Sequence, residues 1–417
     1  MTVTPEEPAP RTVLVTLTGR DQPGVAAELF EAVSAPGVSV LDVEQVVVRG
    51  TLTLAVLVAV QDERDEGPLV RAAHRVGRQR ELRASTHVGR GDNTPRPSGR
   101  LAITLLAQPL TPGAVAALTR AVAVAGGNID RVRRLSREPV TTLELDVSGG
   151  DAGAVRRALV AAAAAHGVDV AVSPAGLARR GRRLVVMDVD STLIAGEVIE
   201  LLAEHAGRRE EVAAVTAAAM RGELDFAESL HRRVEALAGL DAAVLAQVQA
   251  AVRLTPGART LCRTLRRLGF TLGLVSGGFT EVVEPLARDL DVQYVRANRL
   301  EVADGRLTGR VTGPVVDRAA KADALREFAA AEGLPLARTV AVGDGANDVD
   351  MLATAGLGIA FNASAIVREQ ADASVNVPYL DAVLYLLGIS REEVDEADEA
   401  DEADRADGAD GVATAGP

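Results

Sequence analysis

Cysteine and aromatic residues are scarce in this chain. The 417 residues include one cysteine, no tryptophan and only 2% aromatic residues. One thiol cannot form an intramolecular disulfide and suits a reducing compartment. Cys262 lies in a helix-like stretch, where we expect it to be a core residue. With so few aromatic rings, Ala, Val and Leu must fill the hydrophobic cores.

Long apolar runs are also lacking. None approaches the roughly 20 residues that a bilayer-spanning helix needs. Residues 1–10 are acidic and proline-rich, unlike the basic and then apolar start of a secretion signal. We therefore expect a cytoplasmic chain with no membrane partner, long enough for two or three domains.

Positive charge is nearly missing from the C-terminal segment. Residues 391–410 hold eleven acidic residues and two arginines, and so account for −9 of the net charge of −13. Acidic repeats with few apolar residues cannot bury enough surface to fold, so 391–417 is predicted to be a disordered tail. The remaining charge argues neither for nor against a charged partner, and we expect no nucleic-acid partner.

The N-terminal part of the chain contains an internal repeat. Alternating and helical apolar spacings over 12–88 predict the order β-α-β-β-α-β, and the same order recurs over 101–172. Residues 92–98 between them have the composition of a linker. A repeated unit of about 75 residues indicates two similar small domains.

Each repeat resembles an ACT domain, the ferredoxin-like module that commonly binds amino acids. We place the two ACT-like domains at 11–90 and 99–174. Gly24 and Gly113 occupy corresponding loops, where a missing side chain lets a ligand approach the backbone. The resemblance implies an effector site at these glycines. The alternative is that both merely permit the turn into a helix, and the second loop lacks an acid that matches Asp21.

Two acidic side chains follow a short apolar run at Leu184–Met187. The run is rich in Val and Leu and too short for a buried helix, so it is predicted to be a strand buried on both faces. Asp188 and Asp190 come directly after it, at the strand end where α/β proteins bind ligands. Carboxylates this close repel each other, and a divalent cation relieves the repulsion. The alternative is a helix cap, since Asp is favoured there.

The chain around this strand predicts a doubly wound, parallel α/β core with a helical cap. Only helical spacings occur over 195–256, whereas strands and helices alternate over 257–388. We therefore expect one domain over 183–388, with a core formed by 183–194 and 257–388 and a cap formed by 195–256.

Three further polar motifs lie at strand ends or helix starts of this core. Ser276–Gly278 offers a hydroxyl and bare backbone amides, which suit a phosphate oxygen at a helix start. Lys321 lies near the start of a helix, and Gly343–Asp348 groups two acids and an amide around two glycines, which a metal site explains. Taken singly, the first is commonly a turn and the second commonly a surface lysine.

Together and in this order, the four motifs resemble those of the haloacid dehalogenase-like hydrolases. The resemblance implies that Asp188 is the nucleophile and Asp190 the general acid and base. It also implies Mg²⁺, with Mn²⁺ left open, held by Asp188, Asp344 and the backbone carbonyl of Asp190. The remaining residues implied are Ser276, Gly277, Lys321 and Asn347 in substrate binding and Asp348 in support of the metal site.

The cap sequence resembles that of the phosphoserine phosphatase family within these hydrolases. This resemblance implies that Glu197 pairs with a substrate ammonium group and Arg233 with its carboxylate. Met220 and Phe226 would close the pocket against water. Alternatively, Met220 and Phe226 are core residues, and Arg233 belongs to a solvated helix face.

The resemblances imply an enzyme that hydrolyses O-phospho-L-serine through an aspartyl-phosphate, as the last step of L-serine biosynthesis. L-serine is then the candidate effector of the ACT-like domains. Two alternatives stay open: the same chemistry on another small phosphomonoester or on phosphoproteins, and a non-catalytic, amino-acid-responsive binding protein. A homodimer is the default expectation, because such modules often pair.

Overall fold

The chain separates into two compact units, residues 1–96 and 97–417. The boundary between them falls in the stretch 92–98 that has a linker composition. The computed structural model describes residues 9–91, 100–175, 181, 183–220 and 225–399, without the side chains of residues 217, 219 and 220.

The first unit is an antiparallel sheet with two helices. Its elements are β1 (Arg11–Arg20), α1 (Val25–Val33), β2 (Ser39–Val48), β3 (Thr51–Val60), α2 (Glu63–Gln79) and β4 (Arg83–Arg90). The strands lie in the order β2-β3-β1-β4. Every second residue of β3 is buried, because successive side chains of a strand point to opposite faces. The predicted ferredoxin-like order is confirmed.

The second unit begins with the same arrangement. Its elements are β5 (Leu101–Ala107), α3 (Pro112–Val124), β6 (Gly127–Ser136), β7 (Thr141–Gly149), α4 (Ala152–His166) and β8 (Asp169–Pro174). The strand order β8-β5-β7-β6 is that of the first unit. Thr111 and Asp151 cap the two helices, each accepting a backbone N–H in the first turn. The internal repeat is therefore a structural repeat.

A doubly wound α/β core follows. Its strands are β9 (Leu184–Met187), β10 (Thr271–Phe279), β11 (Tyr294–Ala303), β12 (Arg306–Thr312), β13 (Thr339–Gly343), β14 (Leu357–Phe361) and β15 (Ala373–Val375). The strand β9 lies in the middle, between β10 and β13, and pairs in parallel with both. All four of its residues are buried, as a strand covered on both faces requires.

Ten α-helices lie between residues 198 and 386 in the described part of the second unit. Four of them, α5 (Val198–His205), α6 (Arg209–Met220), α7 (Phe226–Glu235) and α8 (Val244–Ala251), separate β9 from the rest of the core. They match the predicted helical cap. The others are α9 (Ala258–Arg267), α10 (Thr280–Asp289), α11 (Arg318–Ala331), α12 (Val349–Thr354), α13 (Ala365–Gln370) and α14 (Val383–Leu386).

The second ACT-like domain and the α/β core share one eleven-stranded sheet. Strand β8 joins β15 in antiparallel orientation, with Ala171 opposite Ala373. Asp169, which is 6% exposed, accepts hydrogen bonds across the junction from Ser374 Oγ at 2.9 Å and from the N–H of Asn376 at 2.7 Å. The two predicted domains are thus joined by backbone pairing and by hydrogen bonds to the buried carboxylate of Asp169.

The prediction of a disordered tail over 391–417 is wrong at its start. Residues 391–399 are helical. Val394 is 2% exposed and packs into the core of the α/β domain, and Asp398 pairs with Arg267 at 2.5 Å. One apolar side chain and ion pairs to α9 thus order this part. The rest of the predicted tail, 400–417, lies outside the described residues.

Within the described ranges, no helix combines the length and the apolar composition needed to cross a bilayer. Cys262 is buried in α9, as predicted, and burial raises the pKa of its thiol to about 12. A thiol with so high a pKa carries almost no reactive thiolate at neutral pH.

Candidate active site

The four polar motifs meet at the carboxyl ends of β9, β10 and β13. Parallel pairing of the three strands brings these ends to one edge of the sheet. Residues of the cap and of this edge line a partly open cavity of about 370 Å³. The predicted residues that line it are Asp188, Asp190, Glu197, Phe226, Arg233, Gly277, Asp344 and Asn347.

Asp188 lies at the end of β9 and is held from two sides. Its Oδ1 accepts the N–H of Val189 at 2.8 Å and lies 2.8 Å from Nζ of Lys321. Its own N–H donates to the carbonyl of Val342 on β13 at 2.9 Å. The side chain is buried, and burial together with the nearby Asp348 raises its pKa, whereas Lys321 acts in the opposite direction. The carboxylate is therefore fixed in position.

Lys321 is fully buried, so the alternative of a surface lysine is wrong. Asp317 caps α11 by accepting the N–H of Ala320 at 2.8 Å, and this places Lys321 in the first turns of the helix. Its ammonium group also donates to Asp348 Oδ1 at 2.8 Å. Burial alone would lower the pKa of Lys321, but the attraction of Asp188 and Asp348 outweighs it and raises the pKa. The lysine is therefore charged at neutral pH.

Three carboxylates cluster around this ammonium group. Oxygen atoms of Asp188, Asp344 and Asp348 all lie within 4.8 Å of one another. Thr192 Oγ1 donates to Asp344 at 2.8 Å, and burial raises the pKa of Asp344 to about 6. Three acids share one lysine, so negative charge is in excess. Hard oxygen ligands with excess negative charge are what Mg²⁺ prefers, and the cluster fits a divalent cation.

Asp190 turns its carboxylate away from that cluster. Oδ1 accepts the N–H of Val198 at 2.9 Å, and Oδ2 accepts a hydrogen bond from Ser276 Oγ at 3.0 Å. Burial raises the pKa of Asp190, which favours the protonated form that a general acid needs. The predicted metal contact of this residue concerned its backbone carbonyl, and it stays a prediction.

Ser276 and Gly277 lie in a different local structure from the one predicted. The sequence suggested a helix start, but Ser276–Gly278 is a bulge inside β10 and the helix α10 begins only at Thr280. The N–H of Gly278 donates to Ser276 Oγ at 2.8 Å. Gly277 and Gly278 line the cavity, whereas Ser276 is fully buried and its hydroxyl contacts Asp190.

Two cap residues of opposite charge reach the same cavity. Arg233 on α7 and Glu197 at the start of α5 lie 3.8 Å apart. The side chain of Arg233 is only 13% exposed, so the alternative of a solvated helix face is wrong. Burial raises the pKa of Glu197 and lowers that of Arg233. Phe226 lines the cavity, and the side chain of Met220 lies outside the described part of the chain.

The loop glycines of the ACT-like domains differ in their local structure. Gly24 has a φ of 89°, in the left-handed region where glycine is favoured. A Cβ atom there would lie 3.3 Å from the guanidinium of Arg80. Gly113 lies in the first turn of α3, and a Cβ atom there would meet open space. The need for a backbone conformation that permits the turn into a helix therefore explains Gly24 but not Gly113. An effector site at either glycine stays a prediction.

Two polar residues of this region escaped the sequence reasoning. Thr192 lies two residues after Asp190, and its hydrogen bond to Asp344 joins two motifs. Asn298 is 2% exposed in β11, and its Nδ2 donates to the carbonyl of Gly277 at 2.8 Å. An asparagine inside a buried strand is unusual, and this is the signal that could have identified it.

Comparisons with known proteins match both the ACT-like repeat and the α/β core. A model of the haloacid dehalogenase-like hydrolases matches residues 185–353, and two models of ACT domains match 11–87 and 101–173. The phosphoserine phosphatase of Streptomyces coelicolor is 57% identical over 384 residues, which cover 92% of this chain and 94% of that protein. The chain belongs to the phosphoserine phosphatase family.

Further members of this family extend the similarity. The phosphoserine phosphatase SerB2 of Mycobacterium tuberculosis is 54% identical over 397 residues, which cover 93% of this chain and 96% of that protein. The crystal structure of a probable phosphoserine phosphatase from Vibrio cholerae is 32% identical, with a TM-score of 0.56 over 71% of this chain and 88% of that one. The chain is thus a hydrolase of the haloacid dehalogenase type with two ACT domains, as its motifs predicted.

Proposed function

We propose that the chain hydrolyses O-phospho-L-serine to L-serine and phosphate. The observation that carries this proposal is one cavity with two chemically distinct ends. At one end Asp188 is fixed by Lys321, and at the other Glu197 and Arg233 lie 3.8 Å apart. Phosphoserine has a phosphate and, a few bonds away, an ammonium and a carboxylate group. The relatives in Streptomyces and Mycobacterium carry the name of this activity.

Mg²⁺ is the proposed cofactor. Asp188, Asp344 and the backbone carbonyl of Asp190 would hold it, with Asp348 supporting the site. When bound, the ion supplies positive charge that offsets the repulsion between a carboxylate and a phosphate. The excess of acids over lysines in the cluster supports this assignment.

Asp188 is the proposed nucleophile. Its carboxylate attacks phosphorus, the bond from phosphorus to the serine oxygen breaks, and an aspartyl-phosphate forms. Lys321 orients the carboxylate and spreads positive charge towards the phosphoryl oxygens. Ser276, Gly277 and Asn347 are the other proposed contacts of that group, since Gly277 and Asn347 line the cavity and Ser276 bonds to Asp190.

Asp190 is the proposed general acid and base. Its proton passes to the departing serine alkoxide, which is a poor leaving group without protonation. The same carboxylate then takes a proton from the water that hydrolyses the aspartyl-phosphate. The raised pKa of Asp190 and its anchoring by Ser276 and Val198 support this role.

The cap supplies the proposed selectivity. Arg233 binds the substrate carboxylate and Glu197 its ammonium group, so that the ion pair between them opens to admit a zwitterion. Phe226 covers the cavity, and a Cβ atom on Gly277 would lie 3.1 Å from its ring. The cap and the phosphate-binding loop therefore approach each other closely above the reacting groups.

The remaining assignments are proposals of broader scope. We infer ACT-like domains at 11–90 and 99–174 that bind an amino acid effector, with L-serine as candidate, and a catalytic domain at 183–388. We also infer the last step of L-serine biosynthesis, a cytoplasmic location and a homodimer. Calorimetry of the full chain with L-serine and other amino acids tests the effector. Titrations that show only one binding event, abolished by Arg233→Met, would exclude a second site.

The central experiment measures phosphate release from O-phospho-L-serine by the wild type and by Asp188→Asn. We expect activity with Mg²⁺, its loss with a chelator, and a loss of about a thousandfold or more in the variant. Other small phosphate esters and a phosphopeptide serve as comparison substrates. If phosphoserine is turned over no faster than p-nitrophenyl phosphate, the proposed substrate is wrong.

A further inference from the structure

We propose that Asn298 is a positioning residue for the phosphate-binding loop Ser276–Gly278. Asn298 lies in β11, and its side chain is buried between the loop and the segment that leads into α11. Both ends of its amide make hydrogen bonds to backbone groups of these two segments. The inference rests on the proposed function only for the role of the loop in phosphate binding.

The loop is a bulge, and Asn298 fills the gap that the bulge creates. Val275 pairs with Arg296, and the next pair joins Phe279 to Asn298 itself. Strand β10 therefore advances four residues where β11 advances two. Extra residues in a bulge have no partner in the ladder of the sheet. The Nδ2 of Asn298 supplies one by donating to the carbonyl of Gly277 at 2.8 Å.

Fixing this carbonyl also fixes the neighbouring N–H. The carbonyl of Gly277 and the N–H of Gly278 belong to one planar trans peptide and point in opposite directions. That N–H donates to Ser276 Oγ at 2.8 Å, and Ser276 donates to Asp190 Oδ2 at 3.0 Å. A continuous series of contacts thus connects Asn298 with the carboxylate proposed as acid and base.

The other end of the amide acts on the helix that carries Lys321. Asn298 Oδ1 accepts the N–H of Val316 at 2.8 Å. The next residue, Asp317, caps α11 through the N–H of Ala320, and Lys321 follows. One buried side chain therefore sets the distance between the loop and the lysine, the two groups proposed to hold the phosphoryl oxygens.

Asn298→Asp separates the two contacts. At alkaline pH, where the introduced carboxyl is ionised, the aspartate still accepts the N–H of Val316 but has no hydrogen to donate to Gly277, and the assays are made at that pH. Thr339→Val is the matched control. Thr339 is fully buried at the start of β13, at the end of the strand away from the candidate site. Its Oγ1 donates to the carbonyl of Leu336 at 2.8 Å and accepts the N–H of Gly356 at 3.2 Å. Both variants thus lose buried hydrogen bonds to the backbone.

The experiment measures kcat and KM of the full chain with Mg²⁺ for two esters, O-phospho-L-serine and p-nitrophenyl phosphate. Inhibition by inorganic phosphate and by L-serine is measured alongside. In Asn298→Asp we expect kcat to fall about tenfold or more for both esters, and phosphate to inhibit about tenfold more weakly. L-serine inhibition stays within about twofold, because the cap residues that bind serine are not disturbed. Thr339→Val keeps kcat and both inhibition constants.

Two results would overturn the proposal. One is an unchanged kcat in folded Asn298→Asp, and the other is an equal weakening of phosphate and L-serine inhibition, which a general structural defect would cause. If thermal unfolding shows that this variant does not fold, Asn298→Ser is judged by the same criteria. A wild type that cleaves p-nitrophenyl phosphate but not phosphoserine would refute the proposed substrate alone, and the Asn298 comparison would proceed with p-nitrophenyl phosphate.

Discussion

Lys321 Nζ lies 2.8 Å from Asp188 Oδ1 and 2.8 Å from Asp348 Oδ1 in a fully buried position. A buried ammonium group loses several kcal/mol of hydration, and well-placed carboxylates must offset that loss. The lysine and the two acids therefore depend on one another. This arrangement fixes the position of the proposed nucleophile. It also means that the loss of any one of the three charged groups should destabilise the folded protein.

Lys321→Met is expected to remove activity and to destabilise the fold. Methionine has a similar length but no charge, so buried carboxylates lose their counter-ion. We expect the free energy of unfolding without Mg²⁺ to fall by about 3–5 kcal/mol, measured by urea denaturation. Arg318→Met is the control, since Arg318 lies on the same helix in a half-exposed pair with Asp350 that contributes about 1 kcal/mol or less. Equal stability of the two variants would contradict the argument.

Arg233→Met is expected to affect one substrate and not another. The side chain faces the cavity close to Glu197, so its loss removes the proposed carboxylate contact. We expect kcat/KM for O-phospho-L-serine to fall about a hundredfold, since a charge-assisted contact is worth about 2–3 kcal/mol. The rate with p-nitrophenyl phosphate, which has no carboxylate, stays nearly constant.

The neighbouring Arg232 provides the control for this change. It is half exposed and pairs with Glu228 on the same helix at 2.6 Å. Arg232→Met should leave kcat/KM for both esters within about twofold of the wild type. A loss with phosphoserine as large as that of Arg233→Met would mean that Arg233 acts through the stability of the cap.

Binding of Mg²⁺ is expected to weaken as the pH falls below 6. Burial raises the pKa of Asp344 to about 6. Below this pH the metal must displace a proton from Asp344, so its affinity should fall up to about tenfold per pH unit. Calorimetric titration of the wild type at several pH values between 5 and 7.5 measures this slope. An affinity independent of pH over that range would contradict the assignment of Asp344 to the metal.

The same raised pKa sets the sign of the effect on stability without metal. The folded chain binds a proton at Asp344 more tightly than the unfolded chain does. The resulting stabilisation is complete below the unfolded pKa of Asp, about 4, and is lost as the pH rises through about 6. Asp344→Asn lacks this contribution. The free energy of unfolding of the wild type relative to the variant should therefore fall as the pH rises from about 4 to about 6. Thermal unfolding of both proteins at each pH measures the difference.

Much of the fold was predictable because its signals are local. The periodicity of β1 to β8 and the two-residue turn at Arg49 and Gly50 depend on residues close in sequence, and the structure confirms them. The candidate site was predictable for a related reason. Asp188 and Asp344 each follow a short buried strand, and parallel pairing brings such ends together.

The features that could not be predicted depend on contacts between segments that are distant in sequence. Nothing in the sequence of either segment indicates that the two pair. Ala171 and Ala373 pair across the junction of the second ACT-like domain and the core, and neither position differs from an ordinary apolar strand residue. Asn298 belongs to no motif, and its role follows from the bulge opposite it. The helix at 391–399 was missed because the acidic composition of the segment outweighed the single apolar residue Val394.

Asp169→Ala is expected to loosen the second ACT-like domain from the core. The buried carboxylate accepts hydrogen bonds from Ser374 and Asn376, and its removal leaves these donors without their partner. We expect a loss of about 2–4 kcal/mol in the free energy of unfolding, measured by urea denaturation. Cooperativity should also fall, since the shared sheet no longer transmits unfolding from one domain to the other.

Arg134→Ala tests whether the burial of the Asp169 carboxylate accounts for the loss of stability expected in Asp169→Ala. Arg134 also reaches from the second ACT-like domain across the junction, to Glu392 at 3.0 Å, but both side chains are more than half exposed. An exposed pair of this kind contributes about 1 kcal/mol or less, so Arg134→Ala should unfold like the wild type. If instead both variants unfold alike in a single transition, the junction depends on the backbone pairing of β8 with β15 and not on the buried carboxylate.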